Sequence, residues 1–239
     1  MAEQPSVEEA FSALLASDDA LGRGEPKVAE AIGEQLKHME LESLPLTLRR
    51  RIRDIVLRHR PQNIIEVGAG IGHLSAWLMD GFERAQPPGR YTLIEGGPKF
   101  GIILQRLLQR YEARDWSEVR AGRFQEIAAE GQGWLIANKA LLSSSGDAAG
   151  EAPFAIPADC IIIDVGEVEQ VECIRAALPL LSSRGLLLTA EPGTPLEGAE
   201  EAEVTRFEDW MKLISELQQS HRIGFLPLFG GNLVAFLSR

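Results

Sequence analysis

The sequence predicts an α/β protein built on a mostly parallel sheet, covered by helices on both faces and finished by an antiparallel hairpin. Three observations carry this expectation. From Gln62 onward, short apolar runs alternate with amphipathic ones, which is the pattern of consecutive βα units. The first such unit, Ile64-Ile-Glu-Val-Gly-Ala-Gly-Ile-Gly72, passes from an apolar strand into alternating glycines. The run after it, beginning at His73, reads as a helix start, so the loop builds a nucleoside pocket at a strand's carboxyl end. Near the C-terminal end, Ile223-Gly-Phe-Leu-Pro-Leu and Asn232-Leu-Val-Ala-Phe-Leu flank Phe229-Gly230-Gly231, which reads as a closing hairpin.

Taken in order, residues 1–60 read as a helical cap, with amphipathic pieces at Val7 to Leu15, Lys27 to Met39 and Leu46 to His59. The last piece carries Arg49, Arg50, Arg51 and Arg53, read as a solvated helix face in an acidic protein rather than an anion site. Residues 61–239 form the core, with strands near 62–67, 90–95, 116–120, 158–164 and 185–190 before the hairpin. Helices are expected near 73–84, 98–112, 124–142, 168–181 and 200–219. The stretch 143–157, rich in Ser, Gly, Ala and Pro, reads as a flexible surface insertion before the fourth strand. No second domain is needed over 1–239.

Composition narrows the function classes. With 239 residues, 45% of them hydrophobic and 25% charged, the chain can bury one sizeable core. Its net charge of -11 and pI near 4.9 disfavour a surface that must lie along a phosphate backbone, so nucleic acid is disfavoured as a partner. Cys160 in an apolar strand and Cys173 in a helix read as small core residues of a reducing compartment. No run of ~18 apolar residues marks a membrane span, and a soluble cytoplasmic protein is expected. A homodimer remains open.

Spacing decides which nucleoside. A dinucleotide fingerprint would place its third glycine at His73 or at Ser75, and neither fits. The motif present, Glu66-x-Gly68-x-Gly70-x-Gly72, resembles the first motif of the class I S-adenosylmethionine (SAM)-dependent methyltransferases. That resemblance implies a Rossmann-like fold with a seven-stranded sheet, with SAM as cofactor. It also implies that the glycines face the methionine part of SAM and that Glu66 helps fix its amino group. About 20 residues after the loop, Tyr91-Thr-Leu-Ile-Glu95 closes a strand on a carboxylate, where βαβ nucleoside sites hold the acid that takes the ribose hydroxyls. Gly96 is expected against the ring edge. After the third strand the run Arg120-Ala-Gly-Arg-Phe124 holds no acid, so Gly122, Arg123 and Phe124 are expected to line the base, with Glu126 as a weaker acceptor. Ser75 either donates to the SAM carboxylate or serves the first turn of its helix.

Over roughly residues 45–239 the chain is similar to the catechol and caffeoyl-coenzyme-A type of small-molecule O-methyltransferase. Three parts carry this: the helix leading into the Glu66 motif, the strand Cys160-Ile-Ile-Ile-Asp164, and the ending Phe225-Leu-Pro-Leu-Phe-Gly-Gly-Asn-Leu-Val-Ala. The resemblance implies that Asp164 holds a divalent metal such as Mg²⁺ and faces the transferred methyl, as the catalytic carboxylate. A metal favours the oxyanion of a hydroxyl that is a poor nucleophile at neutral pH. The chain departs from the pattern nearby. Where the family continues with an Asp-Asn pair it reads Ala190-Glu191, leaving Glu191 as the second metal ligand, and Glu167 stands in place of a lysine. Asp164, Glu167 and Glu191 could form a carboxylate site, and Asp164 could equally be a base or a helix cap. His73 could be a general base or a neutral histidine at the helix start. The function expected is methyl transfer from SAM to an oxygen of a small molecule. The alternatives are a nitrogen, protein or RNA acceptor, or a SAM-binding protein without catalysis.

Overall fold

The computed structural model describes residues 6–18, 20–144 and 150–238. Helices α1 (Val7–Leu15), α2 (Lys27–His38) and α3 (Leu46–His59) come first. They are followed by β1 (Asn63–Val67), α4 (His73–Glu83), β2 (Arg90–Glu95), α5 (Pro98–Arg110), β3 (Ser117–Ala121), α6 (Phe124–Ser144), β4 (Ala158–Ile163) and α7 (Glu167–Ala177). The chain then runs through β5 (Leu181–Ala190), α8 (Glu201–Leu217), β6 (His221–Leu228) and β7 (Gly231–Ser238). Capping is legible at the start of α1, where Ser6 and Glu9 close a reciprocal capping box. Pro98 opens α5, where a missing N–H costs nothing.

The strands form one seven-stranded sheet in the order β3-β2-β1-β4-β5-β7-β6. Strands β3 to β5 pair in parallel, and β7 enters antiparallel between β5 and β6. The predicted fold is therefore present, terminal hairpin included. Successive residues alternate faces, so Ile64, Leu93, Ile162 and Leu188 pack into one apolar layer while Ile65, Ile94, Ile163 and Leu187 pack into the other. Trp77 anchors the first layer and Trp210 the second, both fully buried. Strand order reverses at β1, which has β2 on one side and β4 on the other. In open parallel sheets the crevice at the carboxyl ends of such strands is where ligands bind.

Some details depart from expectation. Helix α7 stops at Ala177, four residues before the predicted end, because Pro179 sits in the 3₁₀ turn that follows. Strand β5 starts earlier, at Leu181, which pairs with Ala158 ahead of a register shift. Of the expected insertion 143–157, Ser143 and Ser144 end α6, and 145–149 lie outside the described residues. Its far end is packed: Phe154, Ala155 and Ile156 belong to the core.

The largest correction concerns the arginines of α3. Arg49 and Arg53 are buried rather than solvated. Arg53 pairs with the buried Asp54 at 2.7 Å and lies over the Trp77 ring. Arg51 donates to the Leu15 carbonyl, and Arg58 to the carbonyls of Leu14, Ala16 and Ser17. Much of the basic face is covered by the end of α1 and by residues 16–18 and 20–25, whose carbonyls, with the carboxylates of Glu25 and of Asp54 on α3, supply the acceptors that water would otherwise supply. At its other side α1 meets the final hairpin. A Cβ on Gly224 of β6 would lie 2.6 Å from Leu15 and 3.2 Å from Phe11, so only glycine permits this approach.

Candidate functional site

The strand tips at the reversal are tied together by backbone. The Gly68 amide donates to the Ile94 carbonyl at 3.0 Å, that of Gly122 to the Glu95 carbonyl at 3.0 Å, and that of Asp164 to the Val67 carbonyl at 2.8 Å. Above these tips lies a cavity of about 320 Å³. Of the residues singled out in the sequence, Gly68, Glu95, Gly96, Gly122, Arg123, Phe124 and Asp164 line it. Glu126 does not, and Gln125 stands there instead.

The three glycines of the loop answer to different constraints. A Cβ on Gly68 would fall 2.0 Å from the Asp164 carbonyl oxygen, and one on Gly72 would fall 2.4 Å from Leu107 of α5. Both positions are dictated by packing. Gly70 is different: its φ is +57°, yet a Cβ there would meet nothing within 4 Å. Its backbone faces open space, and its amide donates to Glu95 Oε2 at 2.8 Å. Glu95 Oε1 accepts from the Gly97 amide at 2.9 Å. One carboxylate at the end of β2 therefore holds the loop of β1 in place while itself lining the cavity.

Glu66 and Ser75 do not reach the cavity with their polar atoms. Glu66 is completely buried, and its carboxyl accepts from the Tyr91 hydroxyl and, at 3.0 Å, from the Ser75 hydroxyl. Burial is the main reason its pKa rises to about 8, with the two hydroxyls opposing and the charges of Asp164 and Glu95 adding to the rise. The alternation of β1 explains the placement. Glu66 shares the face of Ile64 and points under α4, as does Ser75 from the helix above. The side chains expected to fix the amino and carboxylate groups of a cofactor are instead bonded to each other.

On the other wall, Asp164 at the tip of β4 is partly exposed, and burial pushes its pKa up to about 7 against the pull of Arg49. Arg49 belongs to a polar cluster beside the glycine loop. It donates to Glu25 at 2.9 Å, to the Ser43 hydroxyl at 3.0 Å and to His73 Nδ1 at 2.8 Å. His73 Nε2 in turn lies 2.9 Å from Glu25 Oε1. Burial, and then the neighbouring Arg49, hold the His73 pKa below its ordinary value. With Nδ1 facing an arginine N–H and Nε2 facing a carboxylate, His73 has no lone pair left for a substrate proton, and of its two readings the neutral helix-start histidine fits.

The acids expected to share a metal with Asp164 are engaged elsewhere. Glu191 accepts from the Asn232 side chain at 2.5 Å, and its amide donates to the Asn232 carbonyl. Glu167 accepts from the Gly193 amide at 2.9 Å. Among the described residues, no three His, Cys, Asp or Glu side chains gather in a way that could hold a metal ion. Asp164, Glu167 and Glu191 therefore do not gather into a three-carboxylate site, and Glu167 and Glu191 each have a protein partner. Sequence reading missed Val165, just before α7, and Glu169 and Cys173 on one side of that helix, which together line the cavity at every fourth position. That spacing was the available signal. Arg49 and Glu25 gave no comparable signal, because only the folded N-terminal segment brings them to His73.

No family model matches the sequence, and no curated protein does. Solved structures do match the fold. The O-methyltransferase TomG from Streptomyces achromogenes, in complex with SAM, is 18% identical with a TM-score of 0.60, over 96% of this chain and 95% of that one. An O-methyltransferase from Bacillus cereus, in complex with S-adenosylhomocysteine (SAH), is 18% identical with a TM-score of 0.60, over 97% of each chain. A SAH-bound methyltransferase from Podospora anserina is 15% identical with a TM-score of 0.62, over 100% of this chain and 99% of that one. The similarity runs the length of both partners in each pair, and what it establishes is a shared Rossmann-like methyltransferase fold.

Proposed function

We propose that the protein is a SAM-dependent methyltransferase that methylates an oxygen of a small molecule. The observation that carries the reading is Gly70, a left-handed residue facing open space in a loop braced by Glu95. Packing excludes a side chain at its two neighbouring glycines; at Gly70 the left-handed φ of +57° favours glycine, and the open space beside it leaves room for a ligand to approach the backbone. The cleft lined by Gly68 and by Glu95, which braces Gly70, suits SAM: a carboxylate at the ribose position, Gly96 beside it, and Phe124 with Gln125 at the end where a base would lie. Solved structures of this fold are described as O-methyltransferases with SAM or SAH bound, which supports both cofactor and reaction class.

SAM supplies, when bound, a methyl group already activated by its sulfonium. The chain must hold the two reactants in line, exclude water and accept one proton. Glu95 and the amides of the loop fix the donor end. Asp164, with a pKa near 7, is the group placed to accept the proton of the acceptor hydroxyl as the new C–O bond forms. Arg49 keeps a permanent positive charge beside it. The acceptor is a small molecule, as the acidic surface and the cleft dimensions favour.

Calorimetry tests the proposal directly. SAH should bind saturably and NAD should not. Binding of NAD with no heat from SAH would overturn it.

A further inference from the structure

Beside the glycine loop, helices α2 and α5 flank an open groove of about 380 Å³. Helix α2 packs on α4, and α5 packs on β2 and β3, so the two sides that flank the groove do not close on each other. From α2 the groove takes Val28, Ala31 and Ile32, and from α5 it takes Ile103 and Leu107, spaced three or four residues apart as one helix face requires. Ile71 of the loop lines it as well. The lining runs from Val28 to Gln35 on one side and from Ile103 to Arg110 on the other, a length of about 10 Å at the helical rise. Its volume lies within the range of small-molecule sites.

The charges that line this groove have one sign. Its polar side chains are Arg106, Arg110 and Gln35, with no Asp or Glu, in a chain whose net charge is -11. Arg106 and Arg110 are exposed and stand one turn apart on α5, and among the described residues neither is in a salt bridge. Asp80 and Glu83 lie beyond Arg110, in an adjoining cleft that shares Val28 and Arg110 with the groove, and Asp80 is already paired with Arg84 at 3.1 Å. Like charges at such spacing repel each other, a carboxylate relieves that repulsion, and the planar fork of arginine matches its two oxygens. The apolar wall beside them asks for a hydrocarbon joined to that carboxylate. We infer that the groove binds a medium-chain carboxylic acid, its chain laid between α2 and α5 and its carboxylate held by Arg106 and Arg110. The site shares no lining residue with the methyl-transfer cleft.

Ligand-observed nuclear magnetic resonance on the full chain tests this, with octanoate, 1-octanol and butyrate as probes. Octanoate should bind saturably. 1-Octanol keeps the chain without the charge and butyrate keeps the charge with little chain, so each should bind at least about tenfold more weakly. Arg106→Gln and Arg110→Gln should each lower octanoate affinity at least about fivefold. Ala31→Trp, a change at an exposed position, should fill the groove and abolish octanoate binding with the melting temperature retained. Should that variant fold poorly, the two exposed arginines still test the inference. Excess SAH should leave octanoate affinity unchanged. No saturable octanoate binding, an equal response to 1-octanol or butyrate, unchanged affinity in both arginine variants, or displacement of octanoate by SAH would each overturn the inference. So would a dimer of this chain that Ala31→Trp dissociates, because a second copy would then occupy the groove.

Discussion

The two walls of the cleft hold their charges in opposite ways. At the tips of β1 and β2, Glu95 takes backbone amides from Gly70 and Gly97, so its position is set by main chain on both sides. At the tip of β4, Asp164 is governed by burial and by Arg49, a side chain arriving from a distant helix. The first arrangement is local and rigid and suits a constant ligand. The second depends on the docked N-terminal segment and leaves a carboxyl near its titration point, which suits a step in which a proton moves. Under the proposed function the first is the donor wall and the second the reaction wall.

The comparison is broken most sharply at the loop. Gly70→Val should cost at least about a hundredfold in SAH affinity with a folded protein retained, because the new side chain enters open space and strains φ. Gly68→Ala should instead unfold or strongly destabilise the chain, since its Cβ has no room beside the Asp164 carbonyl. Calorimetry paired with thermal melts separates the two. If both variants lose binding and stability alike, the loop is only structural.

On the reaction wall, Asp164→Asn should lower kcat about 10- to 100-fold while moving SAH affinity little. In the wild type kcat should rise with pH through about 7, as the carboxylate form of Asp164 becomes available, and the variant should lose that rise. A pH profile of the same shape in both proteins would remove Asp164 from proton transfer.

Glu66 sharpens the contrast from beneath the loop. Its folded pKa of about 8 lies above its ordinary value, so the native state holds a proton that the unfolded chain gives up. Stability from this group is full below about pH 4.5 and declines as pH rises toward 8. Glu66→Gln should flatten that decline, by roughly 4 kcal/mol at pH 8 in denaturant titrations. Equal pH dependence would mean that Glu66 is already charged in the native state.

Glu95→Ala removes a carboxylate from the donor wall and an anchor from the loop, and SAH affinity should fall by about 1–3 kcal/mol. Unchanged calorimetry would take Glu95 off the ribose. The smallest effect expected is that of a chelator. With Glu191 and Glu167 engaged by Asn232 and Gly193, turnover should change less than about twofold in excess EDTA. Loss of turnover restored by Mg²⁺ would show that these acids leave their partners to bind metal.

The donor wall was legible in the sequence because its logic is local. Strand, glycines and the next acid follow one another, and the register Glu66 to Leu93 and Val67 to Ile94 turns that order into adjacency. Even there the alternation of β1 was read incompletely, since the face that buries Ile64 buries Glu66 and Ser75 as well. The reaction wall was not legible. Four arginines on one helix look like a solvated face until residues 14–18 and 20–25 fold across them, and which segment covers a helix is a matter of long-range packing rather than of the helix's own residues. Pro179 shows the converse, a local stop signal sufficient to end α7 at Ala177.

The packing of α1 on β6 also bears on the order in which the molecule can be completed. Glu8 and Arg222, bonded at 3.0 Å, stand 214 positions apart, and beside them Leu15 closes on Gly224. During synthesis α1 emerges long before the strand it packs on, so its apolar side must wait for nearly the whole chain. Until then Phe11 and Leu15 are exposed to water and to other chains. A residue larger than glycine at 224 would therefore be felt late in biosynthesis, as a nascent protein whose first helix finds its seat already taken.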